Sequence, residues 1–447
     1  MNTLRNGPDR IHDVLGIGFG PSNLALAIAI EEHNRAVPDA ERLSVCFLEK
    51  QPRFGWHRGM LIDNATMQVS FAKDLVTLRN PASDFSFLCY LQDRGRLVDF
   101  LNQKTLFPLR VEFHDYFEWA ADRMRHLVEY SAEVIAVEPV TDEDGVVIMF
   151  DVIARDPHDP SRTLVRRARN LSVAVGLEPH LPPDTIVSDR VWHNSELIPR
   201  IAELTAGGER VRRAVVLGAG QSAAEAAEYL HRTFADAEIC AVFAKYGYTP
   251  ADDSPFANRI FDPDAVDLYY NAPPHVKRSL MDYHRGTNYS AVDIDLIESL
   301  YSTRYRELVE GRERLRLMNA SHITDVRDGE DHVEVSVEHQ PTGRREVLDA
   351  DLLVYATGYR PIDVGMLLGE AAKLCLRDEE DAIRVGRDHR VETVPQVTAG
   401  IYLQGATEHS HGLSSTLLST TAIRAGEIRD SLLARLHEPA RATRART

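Results

Sequence analysis

Apolar and polar positions along this chain switch between two periods, and the switches mark two copies of one plan. Val14 and Leu15 form a short apolar run into a glycine turn, after which Leu24, Ala27 and Ile30 recur at the spacing of one helix face. The run 43–48 (LSVCFL) then reads as the next strand and ends at Glu49. The order repeats in mid-chain: strand 214–217 (AVVL), a glycine turn, a helix bearing Ala223, Ala224, Ala227 and Leu230, and a strand 239–243 ending next to Lys245. Between 250 and 320 the rhythm breaks. Pro250, Pro255, Pro263, Pro273 and Pro274 alternate with polar and aromatic residues ahead of a helical stretch predicted for about 293–310. Residues 322–358 return to strands that close on 351–359 (DLLVYATGY), where Gly358 permits close backbone approach in a strand-to-turn of structural, interdomain role. A last helix presents Leu418, Ala422, Ala425, Ile428 and Leu432 on one face, expected to pack back on the first unit. After Pro439 an arginine-bearing tail is expected to be disordered.

Each glycine turn matches the dinucleotide fingerprint in its required context of strand, turn and helix. The first is Gly16-Ile17-Gly18-Phe19-Gly20-Pro21, the second Gly218-Ala219-Gly220-Gln221-Ser222-Ala223. Pro21 replaces the usual small third residue, and is expected at the first helical position, where its missing N–H costs nothing. Glu49 lies 29 residues past Gly20, placed to accept from an adenosine ribose. Lys245 holds the corresponding place in the second unit, where a 2'-phosphate needs a cation; a merely solvated lysine is the alternative. The first site therefore reads as FAD and the second as NADPH. The predicted fold class is α/β, with two Rossmann-like dinucleotide-binding domains and a small, mainly helical substrate-binding insertion. The expected division is 1–205 with 345–447 for FAD, 206–249 with 321–344 for NADPH, and 250–320 for the insertion.

Charge and cysteines narrow the partners. With 447 residues, 44% hydrophobic, the chain can fill more than one core. A net charge of -17 argues against nucleic acid or an anionic membrane surface, both of which select a basic face. No apolar run approaches the length that spans a bilayer, and the start has no signal-peptide pattern, so a cytoplasmic location is expected. Cys46, Cys89, Cys240 and Cys375 form no Cys-x-x-Cys pair, which excludes a redox dithiol and a zinc ribbon and suggests buried free thiols. His409 and His411 form a His-x-His pair with only Glu408 beside it, and a structural or flavin-adjacent loop is favoured over a metal site.

Several longer stretches carry a resemblance. They are 16–24 (GIGFGPSNL), 54–60 (FGWHRGM), 67–81 (MQVSFAKDLVTLRNP), 218–225 (GAGQSAAE), 252–263 (DDSPFANRIFDP), 287–290 (TNYS), 355–359 (YATGY) and 409–419 (HSHGLSSTLLS). Together they resemble the microbial N-hydroxylating flavin monooxygenases, specifically the L-ornithine N5-hydroxylases of hydroxamate siderophore biosynthesis. The resemblance implies that NADPH reduces FAD, that reduced flavin takes up O2 as a C4a-hydroperoxide, and that the substrate amine attacks its distal oxygen under cover of retained NADP+. It implies FAD contacts from Gly16, Gly18, Gly20, Pro21, Ser22, Glu49, Trp56, His57, Gln68 and Leu417, and NADPH contacts from Gly218, Gly220, Gln221, Ser222 and Lys245. It places Lys73 on the substrate α-carboxylate beside Gln68, Asn258, Asn288 and Ser415, with residues 412–417 opening a helix toward flavin or substrate. No residue is assigned as a catalytic acid or base, the chemistry being the flavin's. Because the reacting amine must be neutral, no carboxylate is expected near it. A homotetramer is the family habit.

Blander readings stand beside these. Lys73 also fits a surface lysine, and Asn258 and Asn288 also fit turn caps. Lysine N6-hydroxylation differs by one methylene, worth about 1–3 kcal/mol in a pocket, and is the nearest alternative. A broad flavin monooxygenase would not need the Lys73, Asn258 and Asn288 set, while a non-catalytic nucleotide-binding flavoprotein would not need both fingerprints intact.

Overall fold

The computed structural model describes residues 10–436, so the tail beyond Pro439 lies outside the described residues. Its first sheet is built on the strand Ile11–Ile17, flanked in parallel by Val45–Glu49 and by Asp159–Val173. Val128–Tyr130 extends it beyond Val45–Glu49. The long strand Asp159–Val173 pairs along its first part with the antiparallel Val147–Asp156, and along its last four residues with the parallel Gly400–Leu403. Glu133–Thr141 closes that side. As expected from the apolar periodicity, Pro21 opens the helix Pro21–Ala36, with Gly20 in extended backbone as its N-cap. This helix buries Leu24, Ala27 and Ile30 completely. The C-terminal helix Thr421–Leu436 packs against it through Ala425, Ile428 and Leu432, which share its apolar core. That helix begins three residues later than its apolar face suggested, because Leu418–Thr420 forms a 3-10 turn.

The second sheet is parallel throughout, in the order Leu315–Met318, Glu238–Val242, Arg213–Leu217, Leu352–Tyr355, Val191–His193. Its membership departs from the expected division at three places. Val191–His193 and the helix Leu197–Ala206 join the second sheet, although they precede residue 206. Leu352–Tyr355 joins it from beyond 345. The helix Ile294–Glu310 is the crossover into Leu315–Met318, so both belong to this sheet and not to the insertion. The physical reason is that a parallel strand finds its neighbours across a crossover, and these neighbours are remote in sequence. A three-stranded antiparallel sheet of Ser321–Asp328, Val333–His339 and Arg344–Ala350 covers one face through Val333, Val335 and Val337. Tyr359–Pro361 leaves Gly358 (φ 83°) to pair with Leu177–Pro179, as a strand-to-turn should. The remaining insertion is short and helical, with Pro263–Asn271 and Pro274–His284, each opened by its proline.

Candidate active site

The first glycine turn is shaped by three different demands. Gly18 has φ 81°, and a Cβ there would sit 2.5 Å from the Ala174 carbonyl oxygen. A Cβ at Gly16 would enter the Phe47 ring. Gly20 has ordinary backbone and open space where its Cβ would be, so what it leaves free is room for a ligand at the helix N-terminus. The buried Asn23 pins the turn, donating to Gly18 O at 2.7 Å while its Oδ1 accepts from Ser172 Oγ at 2.7 Å and Gln404 Nε2 at 2.8 Å. Glu49 is buried at the end of its strand. It accepts from Phe19 N–H at 2.7 Å and from Gln51 N–H at 2.9 Å, so it braces the turn, and its remaining lone pairs are available to a ribose. An open cradle with amides at its rim and an acid beside it fits the adenosine diphosphate half of FAD.

Trp56 and His57 stand between the halves. Their rings meet at 4.8 Å; Trp56 packs edge-on to Phe117 at 5.3 Å, and His57 to Tyr359 at 5.6 Å. His57 holds φ 47° and keeps a solvent-facing edge, yet the protein enclosing the rest of its ring, with Arg110 beyond, lowers its pKa to about 4.

The second cradle is tied into its surroundings by side chains. Gly218 has φ 150°, and a Cβ there would meet the Ala356 carbonyl oxygen at 2.3 Å. Gly220 faces Ser290 of the insertion at van der Waals distance. Gln221 accepts from the Asp293 N–H at 2.7 Å and donates to Glu225 at 2.9 Å. Glu225, the last residue of the GAGQSAAE stretch, takes Arg110 in a two-pronged pair at 2.8 and 2.6 Å, both side chains nearly buried. Arg110 also donates to Met60 O at 3.0 Å. Sequence reasoning missed this pair because its members lie 115 residues apart. Ser222 is half-buried at the head of the helix Gln221–Thr233. Lys245 is half-buried and donates to Ser290 O at 2.6 Å and Thr249 Oγ1 at 3.1 Å. Among the described residues no carboxylate pairs with it, so its charge stays open to an anion while its ammonium clips the insertion to the sheet.

The substrate candidates fall on three segments. Lys73 is half-buried in a loop fixed by its neighbour Asp74, which accepts from the N–H groups of Val76 (3.0 Å), Thr77 (2.6 Å) and Phe87 (2.8 Å). Among the described residues no carboxylate pairs with Lys73 either. Gln68 is exposed on the same loop, whose backbone is held by Met67 N–H to Pro108 O at 2.8 Å. Asn258 donates its amide to Asp253 O at 2.8 Å, the turn-capping behaviour weighed for it. Asn288 is half-buried, and the adjacent Tyr289 hydroxyl bonds Glu408 across to the third segment. There the expected helix is replaced by two 3-10 turns, Leu413–Thr416 and Leu418–Thr420, with Leu417 half-buried and extended between them. Ser415 is buried, and its hydroxyl has no partner. Among the described residues no hydrogen bond joins Lys73 or Gln68 to either asparagine. The two histidines part company: His409 Nε2 lies 2.9 Å from Ile383 O, while the His411 ring stacks on His389 at 4.3 Å. Of the cysteines, Cys46, Cys240 and Cys375 are buried free thiols, and Cys89 is half-buried.

Two glycine turns, each between a parallel strand and the helix that follows it, define an α/β fold with two sites of the dinucleotide-binding kind. Residues 10–361 match the model of the L-lysine 6-monooxygenase/L-ornithine 5-monooxygenase family, and the chain belongs to that family. The L-ornithine N(5)-monooxygenase of Burkholderia cepacia is 42% identical over 90% of this chain and 90% of its own. The ornithine N-hydroxylase of Kutzneria sp. 744, in a structure with reduced FAD, NADP+ and L-ornithine, superposes with a TM-score of 0.90 at 44% identity, covering 96% of this chain and all of that one. The ornithine hydroxylase from Pseudomonas aeruginosa gives 0.88 at 36%, with the same coverages.

Proposed function

We propose that this protein is an FAD- and NADPH-dependent monooxygenase that uses O2 to hydroxylate the side-chain amine of L-ornithine, giving N5-hydroxyornithine for hydroxamate siderophores or related products. The observation that carries the choice of an amino-acid substrate is Lys73: a half-buried cation, held in place by Asp74 and matched by no carboxylate of the protein. It suits an α-carboxylate, and the neutral amides of Asn258 and Asn288 add donors and acceptors without repulsive charge. Gln68 and Ser415 complete the substrate set in this reading. Bound FAD supplies the oxygen chemistry. The chain's own task is to hold the cofactor at Gly16, Gly18, Gly20, Pro21, Ser22 and Glu49, with Trp56, His57, Gln68 and Leu417 toward the ring. Gly218, Gly220, Gln221, Ser222 and Lys245 would hold NADPH, at a place where a bound nucleotide would exclude water. The Tyr289 phenol donates to Glu408, which ties the segment carrying Asn288 to the one carrying Ser415. Ornithine is preferred to lysine because the relatives compared above bear ornithine in their names. No helix of the described residues is long and apolar enough to cross a membrane, and with the buried free thiols this supports a cytoplasmic enzyme; the family resemblance supports a homotetramer.

The test is coupled hydroxylation by FAD-loaded protein with L-ornithine or L-lysine at matched NADPH, quantifying hydroxylamine against peroxide. Product with ornithine is expected. Product with lysine alone would replace the substrate, and peroxide alone with both would remove the amino-acid reading.

A further inference from the structure

A guanidinium lies buried at the start of the C-terminal helix. Arg424 is 4% exposed, and its Nη1 donates to Ser415 O at 2.6 Å. Its Nη2 donates to Ser22 Oγ and Thr421 Oγ1, each at 3.2 Å, while its Nε meets no acceptor. All of these acceptors are neutral. Glu427, the carboxylate one turn on, is already taken by Arg387 at 3.0 and 2.8 Å and by His389 at 3.0 Å. Removing an ion from water without a counter-ion is costly, and burial draws the Arg424 pKa down to about 10 against the pull of Glu427. The position of this cation gives the cost a purpose. Ser22 is the second residue of the first fingerprint helix, at the end where a diphosphate docks. Ser415 lies on the other side of the same guanidinium, its hydroxyl buried and unpartnered, on the wall of a cavity of about 20 Å³ shared with His411 and with Val266 of the insertion.

We propose that Arg424 is a positioning residue that joins the FAD-diphosphate end of Pro21–Ala36 to the loop carrying Ser415, so that flavin binding and ornithine binding are coupled through one side chain. The planar fork is what makes this possible, since it reaches two acceptors on different elements at once, whereas an ammonium is a single point. The inference rests on the ornithine-hydroxylase reading for its substrate half; its flavin half stands without it.

Arg424→Met, Arg424→Lys and Ser22→Ala separate the two halves. Titrating apoprotein with FAD by flavin fluorescence should show affinity at least tenfold weaker in Arg424→Met and recovered to within threefold in Arg424→Lys. In FAD-saturated enzyme the ornithine KM should rise at least fivefold in both variants. Ser22→Ala should weaken FAD in the parent and weaken it by a smaller factor in the Arg424→Met background, where its guanidinium partner is already gone. FAD affinity and ornithine KM both within twofold of the parent in Arg424→Met, or recovery of both by Lys, would overturn the proposal. If neither Arg424 variant folds, Arg424→Gln is measured in their place, and FAD affinity and ornithine KM both within twofold of the parent there overturn it too. A parent protein that hydroxylates no ornithine would remove the functional reading, while the FAD titration would still judge the Ser22 contact.

Discussion

At the scale of single residues, two lysines of the candidate site stand without a matching charge. Lys73 and Lys245 have no carboxylate partner among the described residues, in a chain whose excess of acids makes pairing easy. Replacing Lys73 with alanine should remove a charge-assisted hydrogen bond worth about 2 kcal/mol, roughly thirtyfold in ornithine KM. Peroxide release should rise, while the single-turnover rate of flavin reduction by NADPH stays close to the parent's. A collapse of that reduction rate would place Lys73 on the cofactor and remove its role as carboxylate clamp. Glu49 shows the opposite economy: an acid foreseen for a ribose also braces the Phe19 amide, so its removal would loosen the turn as well as the contact.

Among elements, what was legible in the sequence was what is local. The strand, turn and helix of each fingerprint, the proline at the first helical position and the apolar face of the last helix all follow from periodicity within about twenty residues. Sheet membership was not legible. Val191–His193 and Leu352–Tyr355 give the same apolar signal whichever sheet they join, and the pairing of Leu352–Tyr355 with Arg213–Leu217 on one side and Val191–His193 on the other is decided by crossovers. The site was read in part: the loop around Lys73 and both glycine turns came from motifs, but Arg110–Glu225 and Arg424–Ser22 are contacts between segments far apart, and no spacing announces them. The Arg110–Glu225 pair fastens the helix Arg110–Arg123 to the second fingerprint helix. Breaking it with Glu225→Gln strands a nearly buried guanidinium and should cost about 3 kcal/mol or more. A clear drop in thermal midpoint is expected, partly recovered in the Arg110→Met, Glu225→Leu double variant. No drop in the single variant would show that the pair carries little.

For the whole molecule, acidity reads the packing of the C-terminal layer. Burial, and then the adjacent His389, lower the His411 pKa to about 3, and burial lowers His389 as well despite its bond to Glu427. Burial alone would raise Glu427, but the bonds from His389 and Arg387 outweigh it and hold the carboxyl at about 2. The two effects occupy different windows. Below about 6.5 the unfolded chain protonates these two imidazoles more readily than the folded one, so their contribution to stability falls as pH drops; the Glu427 contribution is full above about 4.5 and is lost toward 2. From pH 7 to 5 the His411 imidazole should cost about 2 kcal/mol, and His389 acts in the same direction. His411→Asn should flatten the pH dependence of the thermal midpoint over that interval, and an unchanged slope would mean that other groups set it.

The return of the C-terminal segment also has a consequence for biosynthesis. Gly400–Leu403 completes the hydrogen bonding of Asp159–Val173, and Ala425, Ile428 and Leu432 seal the helix that opens the first fingerprint. The unit synthesised first is thus finished last. A nascent chain halted before residue 400 should have its second sheet assembled, while its first keeps an uncovered apolar helix that invites chaperones; flavin acquisition would then follow translation instead of accompanying it.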